Sequence, residues 1–166
     1  FLIGKRKDEL GGSVYYDVND EIGAIVPIID FESERNMTSA VVDAIDSNLL
    51  LSCHDVSDGG LATTISEMIL GGDADGRIGA EINLDFTDLR TDKALFSESS
   101  GFVFEVDNQN LSRLKTLFKF YKIDLVELGK TDGTKLIFNK NNKKIIDLHV
   151  DKLKEAWTMG FVEALE

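Results

Sequence analysis

The 166-residue sequence predicts an α+β fold, with a mixed sheet covered by helices, and three observations carry that prediction. Apolar residues recur at helical spacing, most clearly Met37, Val41, Val42, Ile45 and Leu49. Between Arg77 and Leu84 they alternate instead, with Ile78, Ala80, Ile82 and Leu84 on one side of a half-buried strand. The two patterns are interspersed without the strict strand–helix alternation of a doubly wound parallel sheet.

In order, Phe1-Leu2-Ile3 reads as a short strand. The charged run Gly4 to Glu9 follows, then the turn Leu10-Gly11-Gly12-Ser13 and an apolar patch at Val14, Tyr15 and Tyr16. Lys5-Arg6-Lys7, beside Asp8 and Glu9, reads as a solvated loop. Pro27, the only proline, makes Ile25 to Ile29 an extended loop. Asp30 to Asn48 is a helix, with Asp30 and Ser33 as cap candidates. Leu49, Leu50 and Leu51 lead a buried strand running to Cys53. Leu61, Ile65, Met68 and Ile69 mark a helix stopped by Gly71-Gly72. After the Arg77–Leu84 strand come a short helical piece at Lys93 to Phe96 and the strand Phe102 to Val106. Asn108 then caps a helix with the stripe Leu111, Leu114, Leu117, Phe118 and Tyr121. Leu125 to Leu128 is a strand ended by Gly129. Lys135 to Phe138 and Lys144 to Val150 flank a hairpin turn at Asn139 to Asn142. A last helix, Asp151 to Ala164, packs Leu153, Trp157 and Phe161.

Thirty acidic against 18 basic residues give a formal charge of −12, which argues against nucleic acid or an anionic membrane as the main partner. One cysteine permits no internal disulfide, so an intracellular reducing compartment is expected. Neither a membrane-length apolar run nor a signal peptide is visible. Because the chain opens on what looks like a strand already under way, residues 1–166 read as a single domain excised from a longer protein.

Chemistry concentrates in two polar stretches. His54 to Leu61, HDVSDGGL, joins a strand end to a helix start. Asp58 or Ser57 can cap the helix, and Gly59 and Gly60 leave its first N–H groups uncovered, a setting that favours anions. Asp55 and Asp58 would repel a bare phosphate, so a divalent cation would have to mediate. A helix cap and tight turn with no ligand is the competing reading. Ser97-Glu98-Ser99-Ser100 offers one carboxylate and three hydroxyls to a sugar or phosphate, or to the backbone groups of its own loop. His54 beside Asp55 suits either an acid–base role or a structural hydrogen bond, and His149 lies inside a strand. Cys53 and His54 are strand neighbours that point to opposite faces and cannot act as a pair. No phosphate loop, dinucleotide fingerprint or Cys/His metal spacing is present.

Three blocks, GKRKDELGGSVYY from Gly4, HDVSDGGLATTISEM from His54 with Gly71-Gly72 behind it, and FSESSGFVFEV from Phe96, resemble in order the C-terminal domain of phosphoribosylformylglycinamidine synthase. This family lies within the aminoimidazole ribonucleotide synthetase-related superfamily, and the similarity runs over essentially the whole chain. The resemblance implies a fold like the C-terminal domain of aminoimidazole ribonucleotide synthetase. It implies a cytoplasmic purine-pathway ligase that uses ATP and Mg2+ to phosphorylate the amide oxygen of formylglycinamide ribonucleotide. Ammonia from a glutaminase subunit or domain then displaces phosphate to give the amidine. Asp58 falls at the family's metal-binding aspartate and Glu98, Ser99 and Ser100 at its substrate-contacting Glu-Ser-Gln, to which the helix-start reading adds Gly59 and Gly60 as phosphate-binding candidates. Ser100 departs from the family's glutamine. The blocks match the second of two pseudo-equivalent halves, whose cleft is auxiliary, and the catalytic histidine motifs belong to preceding synthetase domains. No residue here is therefore assigned as catalytic, and the chain alone is expected to be inactive. The alternative is a non-catalytic nucleotide or sugar-phosphate binding or interface module.

Overall fold

The computed structural model describes residues 1–72 and 78–163, with side chains described to residue 160. They fall into two compact units, Phe1–Thr64 with Thr87–Glu127, and Ile65–Phe86 with Leu128–Glu166.

In the first unit, β1 (Leu2–Ile3), β2 (Ser52–Asp55) and β4 (Phe102–Glu105) form an antiparallel sheet in the order β1-β4-β2. Helices α1 (Val14–Val18), α2 (Phe31–Asp46), α4 (Thr91–Phe96) and α5 (Leu111–Phe120) complete it, together with the first residues of α3 (Gly60–Gly72). The core gathers Ile3, Met37, Ala40, Val41, Ala44, Leu49, Phe104, Leu114 and Phe118. Phe104 and Phe118 stack with ring centroids 5.4 Å apart. Thus α2 and α5 cover one sheet face, the face to which Phe104 and its pairing partner Cys53 point. Burial and the Asp55 charge push the Cys53 thiol up to about 11, so it stays protonated and unreactive at neutral pH. His54 pairs with Val103 on the opposite face, so the two residues do not meet.

The buried stripe of α2 is Met37, Ala40, Val41 and Ala44, with Val42 and Ile45 half exposed, one step round from the expected face. Asp30 is the N-cap, its carboxylate accepting from the N–H groups of Glu32 and Ser33. At the other end Asn48 takes a positive φ of 52°. Its N–H donates to Ile45 O and that of Leu49 to Ala44 O, the paired bonds of a Schellman stop. That stop corrects the expected Leu49–Cys53 strand. Leu49 is spent closing the helix, Leu51 is exposed, and the strand begins at Ser52. Asn110, not Asn108, precedes α5, and it makes no side-chain cap bond.

The second unit holds most of α3, α6 (Val150–Glu163) and a mixed sheet of β3 (Ala80–Asn83), β5 (Gly129–Thr131), β6 (Lys135–Lys140) and β7 (Lys143–His149), ordered β5-β3-β6-β7. β3 and β6 run parallel and the other pairs antiparallel. Ala80, Ile82 and Leu84 are buried, as the alternation predicts, whereas Ile78, expected on the same side, precedes the strand and is exposed; Leu136 and Phe138 are buried as well. Asn141 and Asn142, with φ of 50° and 59°, turn the expected hairpin. Other expectations change. The expected Leu125–Leu128 strand is only a single bridge from Val126 to Leu2, and Gly129 opens a strand instead of ending one, at a place where Glu81 O leaves no room for a Cβ. Gly71 and Gly72 continue α3. Trp157 is exposed on α6. Arg77, Ala164 and the Phe161 side chain lie outside the described residues. Among the described residues no helix is long and apolar enough to cross a membrane.

Candidate functional site

The three motif blocks meet within the first unit, and Glu98 is where they join. Its Oε1 accepts from the Gly59 N–H at 2.8 Å and from the Val14 N–H at 2.9 Å. One carboxylate oxygen therefore ties the HDVSDGGL turn and the first residue of α1 to the loop between α4 and β4. The glycines make the approach possible. Gly59 and Gly60 have φ of 74° and 66°, and a Cβ on Gly60 would stand 2.7 Å from Phe96 C and Ser97 O. Gly60 N–H donates to Ser57 O at 3.0 Å, and the buried Thr64 hydroxyl donates to Asp55 O and Gly60 O. The N–H groups of Gly59 and Gly60 are thus paired, so that of the helix's first donors, expected to stand uncovered, Gly60 N–H is engaged by Ser57.

Beneath the junction lies a buried polar network. Arg6 is 6% exposed, and its guanidinium donates to Ser97 O at 3.3 Å and Ser100 O at 2.7 Å. Glu9, also 6% exposed, accepts from the Ser99 hydroxyl at 2.9 Å through Oε2. Its Oε1 accepts from Ile28 N–H at 3.4 Å and stands 3.6 Å from Lys7 Nζ. The Ser97 and Ser99 hydroxyls share a further bond. Burial pushes Arg6 down to about 10 against the opposing pull of Glu9 and Glu34, so it remains charged at neutral pH. Its Nε has no hydrogen-bond partner. Lys5, Lys7 and Asp8 of the charged run face solvent as expected, but Arg6 and Glu9 do not. Arg6 clamps the serine loop from inside. A buried arginine beside a buried glutamate was missed because a charge run ordinarily faces water. The spacing of Arg6 and Glu9, three residues apart, gave no sign of partners some ninety positions on.

The expected site residues divide accordingly. Asp58 is exposed and borders Gly59 on the outer side of the junction. Glu98 is half-buried, with one oxygen committed to backbone. Ser99 is buried and committed to Glu9, whereas exposed Ser100 donates to Glu34 Oε2 at 2.6 Å. No group of three or more His, Cys, Asp or Glu side chains converges as a metal cage among the described residues. Magnesium is commonly held by one or two carboxylates plus phosphate and water oxygens, and Asp58, exposed and adjacent in sequence to the Gly59 that Glu98 binds, is a donor of that sparser type. His54 Nδ1 lies 2.7 Å from its neighbour's Asp55 O, a local contact. An open groove of about 570 Å³, lined in part by Leu49, Arg113 and Phe120, includes none of these residues.

Residues 1–138 match the family described as AIR synthase related protein, C-terminal domain. The phosphoribosylformylglycinamidine synthase subunit PurL of Methanothrix thermoacetophila is 39% identical over 166 residues, covering 99% of this chain and 21% of that protein. Thermotoga maritima PurL complexed with FGAR superposes with a TM-score of 0.73 at 17% identity, over 92% of this chain and 27% of the other. The ATP complex gives 0.69 at 18%, and PurLQS from the same organism 0.67 at 19%, covering 92% of this chain and 24% and 25% of theirs. At those identities the structures establish a shared fold. The chain spans about a fifth of the length of the curated relatives it matches.

Proposed function

The chain belongs to the family of AIR synthase related protein C-terminal domains, and from that premise we propose that residues 1–166 are the single C-terminal domain of a cytoplasmic phosphoribosylformylglycinamidine synthase. In this reading the whole enzyme is a C–N ligase of purine biosynthesis. It converts formylglycinamide ribonucleotide, ATP and ammonia to the amidine, ADP and phosphate, the ammonia coming from a glutaminase partner. The observation that carries the reading is the shared Glu98 oxygen, which brings the three family blocks to one place.

What this chain's residues contribute is positioning. Arg6 and Glu9 hold the Ser97–Ser100 loop from below, and Glu98 holds the Gly59 turn beside it. Asp58 and the second oxygen of Glu98 are then the groups available to a magnesium-bound nucleotide or sugar phosphate, with the Ser100 hydroxyl at the margin. Magnesium bound there supplies charge neutralisation for phosphate oxygens. No side chain of this corner is placed as acid, base or nucleophile, so the chain by itself serves as an accessory to reaction machinery in the preceding synthetase domains.

Two measurements test this. The intact gene product forms amidine from formylglycinamide ribonucleotide, ATP, magnesium and ammonia, whereas the 166-residue chain folds but forms none; turnover by the chain alone refutes the accessory role. Calorimetric titration with ADP and magnesium gives heat that Asp58→Asn abolishes, and unchanged heat removes Asp58 from the ligand site.

A further inference from the structure

Between Val18 and Phe31 the chain presents Val18, Ile22, Ile25, Ile28, Ile29 and Phe31, each between 58% and 81% exposed. Isolated exposed apolar side chains are ordinary, but this many within one short segment mark a surface awaiting contact. The strip does not hang free. Gly11 N–H donates to Ile25 O at 2.7 Å, Gly12 N–H to Ile22 O at 2.8 Å, and Lys7 Nζ to Ile28 O at 3.2 Å. A Cβ on Gly11 would stand 2.6 Å from Ile25 O, so the two backbones lie in close contact. Pro27 adds a fixed φ in the middle. Pinning of this kind holds the apolar side chains outward and removes part of the ordering cost of association.

Charge narrows what can cover it. Asp17, Asp20, Glu21, Asp30 and Glu32 are exposed around the strip against one cation, Lys7, whose ammonium is bound to Ile28 O, and no further lysine or arginine occurs from Asp8 through Glu34. Two copies of this face would set carboxylates against carboxylates, and an anionic bilayer would be repelled equally. We propose that the Val18–Phe31 strip is a docking surface for a protein face that is apolar at its centre and rimmed by lysine and arginine, carried by the rest of the synthetase polypeptide. The proposal rests on the reading of this chain as one domain of a longer synthase, and the matched relatives, of which it covers about a fifth, have length enough to supply such a face.

The test uses the intact gene product, labelled at isoleucine δ1 methyls, in the presence of a soluble gadolinium chelate. Docking makes the methyls of Ile22, Ile25, Ile28 and Ile29 relax as slowly as that of fully buried Ile3. Reversal of the rim in D17K/D20K/E21K then speeds their relaxation several-fold. Methyls that already relax several-fold faster than Ile3 in the unmodified protein overturn the proposal, as does shielding that survives rim reversal. Shielding that appears only with rising concentration, alongside a doubled sedimenting mass, puts a second copy on the strip and overturns it too. Amidine formation is assayed on the same sample. Shielded methyls without turnover sink the synthase reading and leave the surface standing, while turnover with exposed methyls sinks the surface alone.

Discussion

Residues 4–13 and residues 14–31 are consecutive, yet they invert the usual relation between polarity and burial. The first stretch is the more charged, and it sends Arg6 and Glu9 inside. The second is the more apolar, and it leaves Val18, Ile22 and Phe31 in solvent. Position follows from what each side chain holds. Arg6 and Glu9 satisfy carbonyl and hydroxyl groups of a loop some ninety residues away, and a charge so bonded can stay buried. The apolar residues ride on a backbone pinned along its inner edge, with no neighbour in the first unit over their side chains. Hydropathy alone predicts neither half of this pair.

The comparison breaks first at Arg6. Arg6→Met strips donors from Ser97 O and Ser100 O and leaves Glu9 facing only the half-exposed Lys7 ammonium 3.6 Å away, so we expect a loss of about 3–5 kcal/mol in urea denaturation. Adding Glu9→Leu should restore part of it, because the stranded carboxylate goes as well. A loss below about 1 kcal/mol, the range of a surface ion pair, would mean that the network carries no weight. Gly60→Ala comes next, at about 2–4 kcal/mol, from left-handed backbone strain together with the collision against Phe96 and Ser97. Gly12→Ala is its control: φ is +71°, but the nearest atom is 4.0 Å away, so only the strain of about 1 kcal/mol should appear in the melting curve. Equal costs at the two glycines would show that close loop approach is not what Gly60 provides. The smallest effect is expected at Ile28→Ser, within about 0.5 kcal/mol for the 166-residue chain, since the side chain is already in water. A larger loss would show that the strip is folded onto its own unit.

Local patterns in the sequence were informative wherever one element decided its own form. The Asp30 cap, the hairpin at Asn141-Asn142 and the alternation through Ala80, Ile82 and Leu84 stand where they were expected. Errors arose where an apolar residue had a second employment. Leu49 closes a helix rather than opening a strand, and Val42 and Ile45 yield the core face to Ala40 and Ala44. The site was legible as a set of motifs, through their wording. Its interior was not, because Arg6 and Glu9 draw their meaning from Ser97, Ser99 and Ser100, and such pairings leave no local periodicity.

The shared oxygen of Glu98 has one more consequence. Two amides from separate segments lean on a single atom, so a competitor for that atom cannot be admitted by halves. Any cation or hydroxyl that draws the oxygen away releases the glycine turn and the head of α1 together.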